Sequence, residues 1–185
     1  MTKKKESVSP NDAAATISAV YTSDLLSNLP ALAPKAEPGT RELFKQLKRK
    51  KNPKLDVVVA EIHEGVFEKI SCLSCANCCK TLGPRITDAD IQRLSKALRI
   101  KPGAVIDTYL RVDEDNDYVF KNMPCPFLME DNYCMVYESR PKACKEYPHT
   151  NRKRFDQAFQ VTIKNTYTCP AAYLVVEELK TVFGS

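Results

Sequence analysis

Eight cysteines are the residues of this 185-residue chain whose type and spacing could do chemistry. Cys72, Cys75, Cys78 and Cys79 fall within eight positions, in the spacing C-x2-C-x2-C-C. Cys125, Cys134, Cys144 and Cys169 follow singly. A thiolate is a soft donor suited to zinc and to iron–sulfur clusters. Both take four ligands in closed sites. Eight thiols therefore match one or two metal centres, and two by arithmetic. Adjacent side chains usually point apart, so Cys79 can serve a different site from Cys78. The expectation is that Cys72, Cys75 and Cys78 share one centre with a distal cysteine, while Cys79 joins the remaining distal ones.

Other uses of the thiols fit less well. The first three cysteines repeat the spacing of a bacterial ferredoxin run, which ends in Cys-Pro. Cys169-Pro170 echoes that ending from far along the chain. A thioredoxin-type pair at Cys72 and Cys75 lacks the surrounding βαβ pattern. A zinc deaminase needs Pro-Cys-x-x-Cys, but Pro124-Cys125 is followed three residues later by Leu128. Disulfides suit an oxidising compartment, and nothing marks this chain for one. His63-Glu64 has no second His at the H-E-x-x-H spacing, so His63 reads as structural. No Ser/His/Asp set or paired-carboxylate site is visible, and whether the chain is an enzyme stays open. Four thiolates on zinc leave a net negative charge, so a nearby cation is useful. Arg140 is the candidate, unless it pairs with Glu138. Lys80, Arg85, Lys142 and Lys145 are further candidates.

Composition sets bounds on the rest. Hydrophobic residues at 43% and charged residues at 28% are ordinary for a globular chain. Residues 1–54 carry 11 Lys or Arg against 5 Asp or Glu, whereas residues 55–185 carry 17 against 18. The basic character thus belongs to the N-terminal part, not to the cysteine region. No apolar run approaches the ~20 residues of a membrane helix. The basic start, Met1 to Glu6, is not followed by an apolar segment. The expectation is a soluble, cytoplasmic protein, where clustered thiols serve metal or catalysis.

The elements that must position the thiols follow from periodicity. Residues 1–39 read as a poorly ordered extension, with a short helix possible around Ala13–Leu29 on Ile17, Val20 and Leu25. Residues 40–54 read as a basic helical segment. Thr40 would cap it, Leu43, Phe44 and Leu47 would be its apolar face, and Lys48-Arg49-Lys50-Lys51 would end it. That run suits an acidic or nucleic-acid partner, or simply a solvated helix end. Residues 55–185 read as the metal-binding domain. Asn52-Pro53 starts a helix whose face is Leu55, Val59, Ile62, Val66 and Ile70. Thr87 and Asp90 form a capping box, with Ile86 stapled onto Ile91. A short helix near Pro102 and strands at Leu110–Val112 and Tyr118–Lys121 follow. The acids 113–117 between them lack the Gly and Glu of a calcium loop and read as a hairpin tip. A second hairpin is expected with Cys125 and Cys134 on its arms. Ser139-Arg140-Pro141 caps a helix carrying Cys144, and helices over 152–167 and 170–183 close the chain. The fold class is mainly α with one or two small β-hairpins, a small cysteine-rich domain centred on metal.

These residues carry a resemblance. Cys72-x2-Cys75-x2-Cys78-Cys79, Cys125-Pro126-Phe127-Leu128, and Cys134 with Tyr137 to Pro141 and Cys144 resemble the YkgJ-type cysteine-cluster (CxxCxxCC) family. The likeness spans roughly residues 60–173. It implies chelation of zinc or iron and leaves the biological role open. A related cysteine pattern occurs in flagellin lysine-N-methylases, but this chain has no G-x-G-x-x-G loop for a nucleotide-like cofactor, so methyl transfer is not carried over. All eight cysteines are candidate ligands for an iron–sulfur cluster or zinc. A redox or electron-transfer role is preferred. The alternative is a zinc-stabilised module whose metal is structural and whose basic segment contacts a protein or nucleic acid.

Overall fold

The computed structural model describes the backbone of residues 10–184 and the side chains of residues 21–184. The basic start and the side chains of Ile17 and Val20 lie outside the described residues. The fold is mainly helical, with one two-stranded antiparallel hairpin among the described residues.

The first element is the long helix α1, Pro10–Lys50. It runs through the stretch read as a poorly ordered extension, and across the division expected after residue 39. Pro30, Pro34 and Pro38 lie inside it, each removing one backbone donor, and all three sit on its exposed side. The opposite side buries Thr22, Leu29, Ala33, Thr40, Leu43, Phe44 and Leu47. Burial of such side chains contributes about 1.5–3 kcal/mol for each large apolar one, which offsets the helix-breaking cost. Thr40 is therefore not a cap. It lies within α1 and its hydroxyl donates to the Ala36 carbonyl at 3.0 Å.

Two apolar cores follow. The first joins α1 to α2 (Leu55–Lys69), α8 (Phe159–Asn165) and α9 (Pro170–Phe183). Phe44 stacks on Phe159 at 4.2 Å between ring centres, and Phe155 meets both rings edge-on. The expected face of α2 is the one used: Leu55, Val59, Val66 and Ile70 are buried, with Ile62 partly so. Asn52 accepts from the Lys54 amide at 2.9 Å in a turn just before α2, so Pro53 lies ahead of the helix. The helix expected from residue 152 begins later. Asp56 on α2 accepts from the amides of Arg154 and Phe155 at 2.7 and 2.9 Å, which holds that stretch as a loop ahead of α8.

The second core belongs to α5 (Asp88–Leu98), α6 (Pro102–Tyr109) and the hairpin of β1 (Leu110–Val112) and β2 (Tyr118–Phe120). Leu110 pairs with Phe120 in register, and both are buried. The capping box of Thr87 and Asp90 is present, and Ile86 and Ile91 share this core. At the hairpin tip, Asp113 accepts from the amides of Asp115 and Asp117. The expected second hairpin is reduced to one bridge, Leu128 to Cys134. Pro124 and Pro126 flank Cys125 and remove the donors that a longer ladder needs.

Candidate metal centre

The C-x2-C-x2-C-C run forms two short helical turns, α3 (Cys72–Cys75) and α4 (Asn77–Thr81). Ala76 joins them in a left-handed conformation, with φ 46°, and its amide donates to the Cys72 carbonyl at 2.8 Å. Cys72, Cys75 and Cys78, on either side of this reversal, line one cavity. The Asn77 side chain donates to the Thr168 carbonyl at 2.8 Å, which ties the run to the segment entering Cys169. The Cys125 amide donates to the Cys79 carbonyl at 2.8 Å and ties it to the other distal cysteines. Cys125 and Cys134 each open a tight turn, closed by the Leu128 and Tyr137 amides. Cys169 caps α9, its sulfur accepting from the Ala172 amide, with Pro170 next. A thiolate there is favoured by the helix N-terminus.

Cys144 sits on α7 (Lys142–Glu146). The expected Ser139 cap is not made, and Pro141 itself occupies the capping position. The acceptor comes instead from 52 residues away. Asp90 is fully buried and accepts from the Lys142 amide at 2.9 Å while closing its own capping box. One carboxylate thus serves the first turns of α5 and α7. The sequence held the Asp90 half of this arrangement; nothing local marked the other half.

The eight thiols divide into two neighbourhoods. Cys72, Cys75, Cys78 and Cys169 line a cavity of about 40 Å³, together with Tyr147. Cys79, Cys125, Cys134 and Cys144 line a second, larger cleft of about 350 Å³, which Cys72 and Cys78 line as well. Cys78 and Cys79 face each other at 4.0 Å between sulfurs, where the two spaces meet. All eight cysteines are free thiols.

Electrostatics links the two neighbourhoods, because Cys79 acts on Cys72, Cys75 and Cys78 alike. The contact with Cys78 holds the Cys79 thiol down to about 7 and pushes Cys78 up, so the pair parts readily with a first proton and reluctantly with a second. Burial pushes Cys125 up to about 11, and Cys144 and Cys169 up to about 12. Charge from Cys125, Cys79 and Cys134 adds to the rise at Cys144, and charge from Cys72 and Cys75 adds to it at Cys169. Arg140 opposes the rise at Cys134 and Cys144. Its guanidinium lies 3.6 Å from the centre of the Tyr137 ring, and its Nε donates to the Tyr137 carbonyl. It is this residue, with Lys80 acting on Cys75 and Cys79, that supplies positive potential. The other cations are engaged elsewhere: Arg85 with Asp117, Lys142 with Glu146, and Lys145 with the Glu138 carbonyl.

His63 faces the open cleft, stacks on Phe67 and meets the Thr150 hydroxyl at 2.7 Å, as a structural residue would. The sequence reading missed Tyr147, which lines both spaces. Its one signal was its place directly after α7.

Among the described residues, no three His, Cys, Asp or Glu side chains are drawn up closely enough to grip an ion as they stand. The donor chemistry nevertheless fits. Two adjoining spaces are lined by four and six of the thiols, Cys72 and Cys78 lining both, and burial that disfavours bare thiolates is reversed by a bound cation. The family model "Putative zinc- or iron-chelating domain" (CxxCxxCC) matches residues 71–170, more than half of the chain. No curated protein and no solved structure matches.

Proposed function

The chain belongs to the CxxCxxCC family, and from that premise we propose that it is a metal-binding protein with two four-thiol centres. Cys72, Cys75, Cys78 and Cys169 make the first, and Cys79, Cys125, Cys134 and Cys144 the second. The observation that carries this reading is that Cys75 and Cys169 line the smaller cavity alone and Cys79, Cys125, Cys134 and Cys144 the cleft alone, with Cys72 and Cys78 lining both where the spaces adjoin. The metal-binding part is residues 55–185, against which α1 packs through Leu43, Phe44 and Leu47, and the end of α1 with the turn after it is the basic segment. The reducing cytoplasm suits eight free thiols.

Iron–sulfur chemistry is the preferred content, because Cys72, Cys75 and Cys78 with Cys169-Pro170 share the spacing and the Cys-Pro ending of a ferredoxin run. Bound there, an iron–sulfur cluster would supply one-electron chemistry. The protein's own part is to hold the thiols, offset their charge with Arg140 and Lys80, and bury Cys169 from water. A redox or electron-transfer role follows. Purification without oxygen followed by elemental analysis and visible spectroscopy tests it. Bound iron with acid-labile sulfide is the expected result. Colourless protein holding about two zinc ions would favour the structural-zinc alternative. Protein that takes up neither metal would overturn both.

A second reading concerns the basic segment, and a specific contact favours it. Asp56 holds Arg154 and Phe155, with Arg152 and Lys153 just before them, beside the first turn of α2, and Lys50, Lys51 and Lys54 lie just ahead of that turn in the chain. All six cations are exposed. A polyanion such as a nucleic-acid backbone suits this joint surface, and no aromatic side chain lies among the six for base stacking.

A further inference from the structure

The Tyr147 hydroxyl is a buried oxygen with no hydrogen-bond partner. Such orphans are uncommon, because an unmet buried donor costs a folded chain stability. The surroundings do not let it escape. Asn165 is buried and donates to the Pro148 carbonyl at 3.0 Å, fixing the backbone just beyond Tyr147. Thr150, further along, is also fully buried and meets His63. On the other side lies α7, whose first turn is held by Asp90. The ring therefore stays between the two cavities, and it lines both.

The ring shares the smaller cavity with the thiols of Cys72, Cys75, Cys78 and Cys169. After burial itself, the groups that act most strongly on Tyr147 are Cys169, Cys78, Cys75 and Cys72, in that order. These are the four thiols of the first set and none of the second. A neutral thiol is a weak acceptor, whereas a metal-bound thiolate is a good one.

Resting on the two-centre reading above, we infer that Tyr147 is a hydrogen-bonding residue of the first centre, its hydroxyl donating to a metal-bound sulfur of Cys72, Cys75, Cys78 or Cys169. The orphan oxygen is then a partner in waiting. Its hydrogen bond forms when those sulfurs become thiolates. It removes electron density from one of them and fixes its orientation, as outer partners of metal ligands do.

The test compares the full-length protein with its Tyr147→Phe variant, each prepared free of metal and titrated with zinc or with cobalt(II) as a spectroscopic probe. Two opposed effects are expected. Without metal, the variant melts at the same temperature as the parent or higher, because it lacks the unmet hydroxyl. With metal, one of the two equivalents binds roughly 10–100-fold more weakly, the usual loss for such outer partners. The other equivalent is unchanged. In the cobalt form the thiolate-to-metal band of that one site shifts. Equal affinity and an unshifted band for both equivalents would overturn the inference and leave the two-centre reading intact. A variant that is destabilised equally with and without metal would also overturn it, since a purely packing role predicts that. Parent protein that binds neither probe through its thiols would overturn both readings together.

Discussion

Replacing Asp90 should unsettle two helices at once, and only one of them carries a thiol. The carboxylate accepts from the Thr87 amide and hydroxyl at 2.8 and 2.7 Å, and from the Lys142 amide at 2.9 Å. It also pairs with Arg93. In Asp90→Ala the capping box on α5 is lost, at about 1 kcal/mol. The Lys142 amide, at the start of α7, is left without its acceptor, at about 1–3 kcal/mol. The ion pair adds under about 1 kcal/mol, because Arg93 is 39% exposed and can turn to water. A loss of about 3 kcal/mol is expected, a large share of an ordinary domain's stability. For a chain of this length that is a fall in melting temperature of about 6–12 °C, measured without metal. Cys144 rides on α7, so metal uptake at the second centre should weaken while the first is spared. There is also a pH signature. Burial pushes the Asp90 carboxyl up, but the Thr87 and Lys142 donors and Arg93 together bring it below its ordinary value of 3.8. A lowered folded value means its contribution is full above that ordinary value and is lost as pH falls through the folded one. The stability gap between the parent and Asp90→Asn should therefore be constant near neutral pH and close in strong acid. An Asp90→Ala protein that melts within about 2 °C of the parent, well under the fall expected for such a loss, and takes up both metal equivalents would refute this reasoning.

Two more outcomes follow from the geometry. Cys75→Ser should remove one metal equivalent and Cys134→Ser the other, with the double variant losing both. Elemental analysis that finds both equivalents lost from either single variant would mean one joint centre. On the basic surface, Lys50→Glu with Lys153→Glu should weaken binding of duplex nucleic acid and lower the slope of log affinity against log salt by about 2, one for each phosphate no longer neutralised. Fluorescence anisotropy at several salt concentrations reads this. Parent protein with no salt-dependent binding would dismiss the nucleic-acid reading.

Legibility in the sequence tracked how local each determinant is. The capping box at Thr87 and Asp90 was readable because its partners are three residues apart and obey a known geometry. The faces of α2 and α9 were readable because burial repeats with the helical period. Residues Pro30, Pro34 and Pro38 misdirected the reading of α1. Their composition spoke for disorder, while the buried stripe from Thr22 to Leu47 that overrides them is stabilised by α9, far along the chain. The eight thiols were legible by type. Their division was expected only as three plus one distal cysteine, without saying which. Cys169 joins the first neighbourhood because Asn77 anchors to Thr168, a bond spanning 91 residues. Tyr147 was not legible at all, since an unpaired hydroxyl is a property of a packed interior.

The position of the thiols between the cores bears on why so short a chain needs so many. Cys169 packs against the helical core of α1, α2, α8 and α9, while Cys125 and Cys134 pack against the core of α5, α6 and the hairpin. Cys78 and Cys79, neighbours in the chain, meet at 4.0 Å between sulfurs at that division. Among the described residues the ties between the halves that stand out are polar: Asn77 to Thr168, and Cys125 to Cys79. Each contributes about 1 kcal/mol net, little beside the apolar burial within either core. A centre that draws four thiolates together would add far more at that seam, since binding free energy in such sites is also folding free energy. On this argument a metal bound by these thiols would also be the joint between the two cores, with Cys78 and Cys79 at the seam.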